Sequence, residues 1–484
     1  MGGITFARYS CLMGGETGLI SRSERKSMAN IQTERIAVSR EGRAVTLVKV
    51  SSSALFGSDR SKLRVLLFAQ QHGDEPSGKE ALLLLLTKAF TGRLDQYLER
   101  LDLLIVPQVN PDGSQRRQRR TADGIDLNRS HVLLNSPEVR ALHDLFHAWM
   151  PHVTLDIHEY SSFNSRWVES GVIRTADVQL GTLTNLNSSA AIRSYQRAQM
   201  LPFIDAEMQR QGYSFHEYIV GSPSTGVRHS TTEINDGRQS FGMLNTLSFL
   251  QEGRKWRGFS EKLEHRAATQ LAAVEALLAY SRIHADDMLT LVSRERENLS
   301  KLPGEHAVVR MEHVAEGEES MKIPGCDTYL GKETTLAITP YQNSVRPLGS
   351  VRIPDAYVIP AGYSSVAGLL CSHHVQVIPL AERTKVPVET SIIEKIDWET
   401  LEGEKLARPT VSKERNIHQL YPGDLLVATN QMHALFVATL LEAESMWGLA
   451  RYRQFATLMT EGVFPFRRVM QAQGKGGVRG APGT

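Results

Sequence analysis

Cysteine is scarce in this chain: three residues in 484, Cys11, Cys326 and Cys371. They lie too far apart for a disulfide framework or a zinc-ribbon spacing, a usage that fits a reducing compartment. No stretch of about 18 uninterrupted apolar residues occurs, so a transmembrane helix is not expected. Met1 to Lys26 lacks the apolar core of about 7 to 15 residues that a secretory signal carries. Residues 1–30 are therefore read as a disordered N-terminal extension, with Met28 as a candidate natural start, and a cytoplasmic setting as the expectation. An excess of one charge is also missing. Lys plus Arg total 55 against 53 for Asp plus Glu, a net of +2, so nothing argues for nucleic acid as a partner, and the basic run at 116–120 is too local to change that. What is present is a 41% hydrophobic chain, long enough for two or three domains with cores of their own.

The most informative residues are His72-Gly73-Asp74-Glu75. They follow an apolar run, Leu63 to Ala69, that reads as a buried strand, and they open a segment that reads as a helix. An imidazole and a carboxylate three residues apart suit zinc, whose catalytic sites take three protein ligands and leave a fourth position to water. The third ligand must come from another element. His158, in Leu155-Asp156-Ile157-His158-Glu159 at the end of a second apolar run, is the candidate, since strand ends gather site residues in open α/β sheets. A His-x-x-Glu pair by itself is weak, because a histidine beside an acid is more often a hydrogen-bonded structural pair.

Further motifs follow in order: Asn110-Pro111-Asp112-Gly113 after the apolar run Leu103 to Val109, then Arg119-Arg120, then Gly124-Ile125-Asp126-Leu127-Asn128-Arg129, and Leu247-Ser248-Phe249-Leu250-Gln251-Glu252. This series resembles the zinc carboxypeptidase family, the carboxypeptidase A type of metallopeptidase, over roughly residues 45 to 285. The resemblance implies one Zn2+ per chain on His72, Glu75 and His158, with Glu252 as the general base that takes a proton from the attacking water. It implies that Arg119 polarises the scissile carbonyl and that Asn128 and Arg129 grip the terminal carboxylate of the substrate. It implies that Asp126 accepts the free ring N–H of the first zinc histidine, fixing its tautomer. The implied activity is hydrolysis of a C-terminal peptide bond. A zinc amidase of the aspartoacylase and succinylglutamate desuccinylase type, acting on small N-acyl amino acids, is the alternative, and a binding module without chemistry is a third reading. Either hydrolase takes a substrate with a free carboxylate, no nucleic acid and no membrane; homo-oligomerisation stays open.

Some positions carry alternatives. Arg119 sits in Arg116-Arg117-Gln118-Arg119-Arg120, so Arg117 and Arg120 compete with it, and the run can equally be a solvated basic loop. Glu233 is the rival to Glu252, but it lies in a Gly/Asn/Asp-rich loop, whereas Glu252 ends an apolar run. Arg238 either reaches an anionic substrate group or pairs with Asp236. The family's mobile tyrosine has no counterpart between Tyr218 and Glu252, which leaves that role unfilled. His143 and His147, at i and i+4 on an amphipathic helix, lack the intervening glutamate of a metalloprotease helix, and His216 reads as exposed and without a partner.

The pattern along residues 31–300 alternates strand and helix: strands at 44–51 and 63–70, a helix at 76–91, a strand at 102–109, a helix at 137–150, a strand at 152–158, and closing helices between 260 and 301. That predicts an α/β fold with a mixed central sheet flanked by helices, and the resemblance implies eight strands. Residues 301–484 show short apolar runs at 356–359, 375–378 and 425–428 and a helix near 433–443. They are read as a second, β-rich mixed domain without a catalytic motif.

Overall fold

The computed structural model of the chain describes residues 28–317, 320–401 and 403–470. The extension expected at the N-terminus lies, up to residue 27, outside the described residues. Two compact units result. One runs to Glu295 and takes up His313–Ser344; the other consists of Arg296–Glu312 and the described residues from Val345 onward. The boundary read from sequence falls at 300, whereas the segment 313–344 returns to the first unit for a backbone reason. Met321–Asp327 pairs antiparallel with Val172–Arg174, and Tyr341–Gln342 pairs parallel with Gly226–His229.

The first unit is built on eight strands: β1 (Asn30–Val38), β2 (Ala44–Ser51), β3 (Leu63–Ala69), β4 (Leu101–Val106), β5 (Val153–Ser161), β6 (Val178–Gly181), β7 (Phe215–Glu217) and β8 (Leu247–Lys255). Their order is β1-β2-β4-β3-β5-β8-β6-β7. The centre, β4-β3-β5-β8, is parallel, while β1, β2 and β6 join antiparallel. Helices used below are α1 (Ser77–Phe90), α2 (Pro111–Arg116), α3 (Pro137–Trp149), α4 (Gly237–Gly242) and α5 (Leu263–Ile283).

Strands covered on both faces are near-continuously apolar, which is why Val65–Ala69 and Leu103–Val106 read as hydrophobic runs. Alternation then divides each strand between two layers. Val65 and Leu67 pack with Leu82, Leu85, Leu271 and Val274 of α1 and α5, while Phe68 meets Phe241 of α4 edge-on. Each large apolar side chain so buried stabilises the sheet by about 1.5–3 kcal/mol. Gly78 lets α1 lie close against β5, since a Cβ there would stand 2.7 Å from Ile157 Cγ2.

Several expected boundaries shift. The strand expected over 102–109 ends at Val106, although the amides of Val109 and Asn110 still donate to Ala69 and Gln70 carbonyls. The closing region is two helices, Leu263–Ile283 and Ala285–Leu299. His216, read as exposed, is buried in β7 and its Nδ1 lies 2.6 Å from the Glu217 carbonyl oxygen.

The second unit carries Ala356–Ile359 and Leu425–Ala428 as expected strands, a strand Ile378–Pro379 that keeps only Ile378 of the expected 375–378, and a fully buried helix at Ala434–Leu441. Its largest element is a hairpin of Thr384–Leu401 with Glu404–Leu420. Cys326 and Cys371 are both free thiols. Among the described residues no helix is long and apolar enough to cross a membrane.

Candidate active site

Three strand ends meet at the carboxyl edge of the parallel sheet. β3 ends at Ala69, and the chain turns through Gln70 in the left-handed region, φ 58°, to present His72 and Glu75 ahead of α1. Gly73 makes the turn feasible, because a Cβ there would fall 2.0 Å from the Gly113 carbonyl carbon at the start of α2. Asn110 caps α2 by accepting from Gly113 N at 2.8 Å, and its side-chain amide donates to the Gln71 and Arg119 carbonyls. The Asn-Pro-Asp-Gly motif thus ties the loop of His72 to the loop of Arg119. β5 supplies His158, and the parallel register places Glu252 of β8 directly opposite it.

One donor atom from each of His72, Glu75 and His158 lies within 4.8 Å of the others, and all three residues are buried. Each ring is held from behind. His72 Nε2 is 3.2 Å from Asp126 Oδ1, and His158 Nε2 is 2.8 Å from Asp156 Oδ1. A ring proton on the Nε2 that faces each carboxylate would leave Nδ1 of both imidazoles as a lone pair, although Asp156 Oδ1 lies out of hydrogen-bond alignment and Asn128 Nδ2 stands 3.3 Å from the same His158 Nε2. Those two Nδ1 atoms are 3.0 Å apart, with Glu75 Oε1 2.9 Å from His72 and Oε2 3.0 Å from His158. Four acceptors so placed repel one another unless a proton or a metal cation sits among them. Two imidazoles and a carboxylate are a donor set that zinc takes in catalytic sites, so the residues fit the metal. Burial lowers the His158 pKa, but Asp156 and Glu75 outweigh it and hold the imidazole well above its usual range, the same preference for positive charge seen from the ligand's side.

Around this cluster lies a cavity of about 350 Å³, lined among others by Arg119, Asn128, Arg129, Tyr218, Arg238, Leu250 and Glu252. Burial, reinforced by Glu75 and opposed by His158, raises the Glu252 pKa to about 7. Arg119 Nη1 is 3.2 Å from His72 Nδ1 and its Nε donates to Asp126 at 2.9 Å. Its competitors point elsewhere: Arg120 donates to the Gly124 carbonyl, and Arg117 lies over the Phe259 ring. Burial pushes Asp126 upward, yet the hydrogen bond and charge of His72, with Arg119 and Arg129, hold it well below the carboxylate range. Asn128 Oδ1 accepts the Gly237 amide at 3.0 Å, and Arg129 donates to the Asn128 carbonyl while staying exposed. Glu233 is not among the cavity-lining residues, although it acts electrostatically on Arg129. His143 lies against His131, 3.1 Å between ring nitrogens, and against Phe241.

Several lining residues escaped the sequence reading, Tyr218 and Arg174 among them. Tyr218 is the last tyrosine before Glu252, and its hydroxyl pKa is raised to about 12 by burial and then by Glu252. It lies between two short strands, Phe215–Glu217 and Ile219–Ser222, too short to show by periodicity which way it faces. Arg174 packs its guanidinium over Tyr160 and Trp167 and lowers the Glu252 pKa; nothing in its sequence neighbourhood marked it.

Residues 22–211 match the sequence family described as zinc carboxypeptidase. The chain matches it over 190 of its 484 residues. It is a zinc metallocarboxypeptidase, a hydrolase whose class acts on peptides with a free C-terminus. Carboxypeptidase 2 of Trichophyton tonsurans is 25% identical over 425 residues, 86% of this chain and 78% of the relative. Carboxypeptidase 2 of Trichophyton rubrum matches over the same length at the same identity and coverage. Among solved structures, a metallo-carboxypeptidase from Burkholderia cenocepacia is 21% identical with a TM-score of 0.40, covering 53% of this chain and 65%, just under two thirds, of that protein.

Proposed function

We propose that this chain removes the C-terminal residue of peptides, with His72, Glu75 and His158 holding one zinc ion and Glu252 acting as general base. Zinc, when bound, lowers the pKa of a coordinated water to about 7 and polarises a carbonyl. The protein's own groups do the rest. Glu252 is held opposite His158 by strand register, where a carboxylate with a pKa near neutrality accepts a proton and returns it to the departing amine. Arg119, which reaches the edge of the cluster, donates to the carbonyl oxygen as charge builds on it. Asn128 and Arg129 receive the terminal carboxylate, a charge-assisted contact that a guanidinium makes well. Asp126 and Asp156 keep the two imidazoles in the ligating tautomer. Tyr218 offers a phenol to the same cavity.

The observation that carries this reading is the set of four converging acceptors beside a carboxylate and an exposed arginine within one cavity. Comparing free-acid and C-terminally amidated peptides tests it. Amidation removes the charge that Arg129 would meet, and hydrogen bonds to charged groups contribute about 1.5–3 kcal/mol, so kcat/KM should fall by roughly 10- to 100-fold. Equal cleavage of the two would refute the carboxylate grip, and turnover of N-acyl amino acids alone would move the activity to the amidase class.

A further inference from the structure

We propose that Arg238 makes this cavity selective for an acidic side chain on the departing residue, so that the substrates are peptides ending in glutamate or aspartate. This rests on the carboxypeptidase reading above and adds to it which C-terminal residue is released.

Arg238 is 1% exposed and lines the cavity. Its Nη2 donates to Asp236 Oδ2 at 2.9 Å and to Thr231 Oγ1 at 3.1 Å. Its Nε and Nη1 are enclosed and have no hydrogen-bond partner among the described residues. Buried guanidinium donors are ordinarily matched, so these two call for an acceptor that the protein does not supply. Asp236 is already engaged, since its Oδ1 accepts the Gln239 amide at 2.7 Å to cap α4. The fold also makes room for this cation. A Cβ at Gly181 would stand 2.5 Å from Arg238 Nη1, so any larger residue at the end of β6 would displace the guanidinium.

The depth of this group separates it from the terminal-carboxylate contact. Gly181 pairs with Leu250 across β6 and β8, and Leu250 lies two residues before Glu252 on the same face. Two residues of strand span about 7 Å, so Arg238 lies deeper along β8 than the general base. A leucine or phenylalanine side chain entering that depth would cover two unpaired donors and give them nothing. A lysine or arginine would set like charge against like charge. A carboxylate supplies acceptor oxygens and a compensating charge where water is excluded, conditions under which such pairs are strongest.

The test uses the full chain loaded with zinc and a series of N-acylglycyl dipeptides ending in Glu, Asp, Gln, Leu or Lys. N-acetyl-Glu and N-acetyl-Gln are titrated in parallel by calorimetry, a readout that needs no turnover. Glu should exceed its amide isostere Gln by at least about tenfold in kcat/KM and in affinity, from the added strength of a charged hydrogen bond. Arg238→Met should bring the Glu-to-Gln ratio near one, and Arg238→Lys should leave it in between. A wild-type ratio near one in both readouts overturns the proposal, as does an Arg238→Met protein that keeps the preference. Should Arg238→Met fail to fold, the wild-type ratio and Arg238→Lys decide. Preferential binding of N-acetyl-Glu without release of any residue would sustain the acidic pocket and sink the carboxypeptidase reading; trimming without acid preference would do the reverse.

Discussion

Each unit of this protein buries a cluster of ionisable side chains, and the two clusters follow opposite logic. In the second unit Arg468, in the strand Arg467–Val469, stands between Tyr357 and Glu389 as their direct cross-strand partner. Its guanidinium contacts Glu389 and lies 3.0 Å from Glu442 Oε1, and Tyr357 donates to that same carboxylate at 2.6 Å. Charge faces opposite charge: Arg468 Nε makes no hydrogen bond, but the chain's own Glu389 and Glu442 both stand within ion-pair reach of the guanidinium. In the first unit, the acceptors of His72, Glu75 and His158 face one another, and Arg238 keeps two donors unpaired a short way off. A buried group left incomplete loses the desolvation free energy that pairing would offset. Equal burial therefore means a structural brace in one case and a place for a ligand in the other.

The comparison is broken most severely at the proposed metal ligands. His72→Ala or His158→Ala should reduce bound zinc from about one per chain to near none and bring turnover to background, measured by elemental analysis and by hydrolysis of a blocked dipeptide. Full zinc content with normal turnover in either variant would remove that residue from the ligand set. Glu252→Gln keeps the shape but cannot accept a proton. It should retain zinc while kcat falls by about two to four orders of magnitude, and Glu233→Gln should cost far less. A reversal would move the base into the loop 231–242.

Much of this site was legible because the strands that carry it are buried on both faces. Leu63–Ala69 and the apolar run before His158 end where side chains must leave the core, so the polar residues at those ends stand out against an apolar background. Where exposure is mixed, the signal fades. β1, Asn-Ile-Gln-Thr-Glu-Arg-Ile-Ala-Val, is half-exposed or more along its length, and the hairpin of 384–420 alternates charged and apolar residues without a fully buried face, so neither was foreseen. The return of 313–344 to the first unit depends on backbone pairing across more than a hundred residues, which local pattern does not encode. His216 misled for a related reason: three residues of strand between loops offer too little periodicity to show which face is inward.

The second unit's brace gives a prediction of the opposite kind. Breaking a buried charge network by removing one partner typically costs about 3–5 kcal/mol, because the remaining charges stay buried. Arg468→Met should lower the unfolding free energy of the protein by that amount, read from denaturant midpoints. The zinc content and kcat/KM of the molecules that remain folded should match wild type. Loss of activity in proportion to loss of zinc, with no change in stability, would make the cluster part of the catalytic apparatus and erase the contrast.

The smallest effect expected is on acid stability, and it comes from a buried group in the first unit whose second nitrogen is left unmatched. Burial lowers the His216 pKa to about 4, with the Glu217 carbonyl opposing, and its Nε2 has no partner among the described residues. A histidine whose pKa is lower folded than unfolded binds more protons in the unfolded chain between about pH 4 and 6.5. Its contribution to stability is therefore complete above about pH 6.5 and is lost as the pH falls toward 4, by up to roughly 3 kcal/mol. His216→Asn retains an N–H for the Glu217 carbonyl but has nothing to protonate in that range. Denaturation midpoints measured from pH 7 to 4 should fall less steeply for this variant than for wild type, even if both begin lower or higher at pH 7. Parallel curves would mean that His216 is reached by water in the folded state, and that the unmatched nitrogen is solvated rather than enclosed.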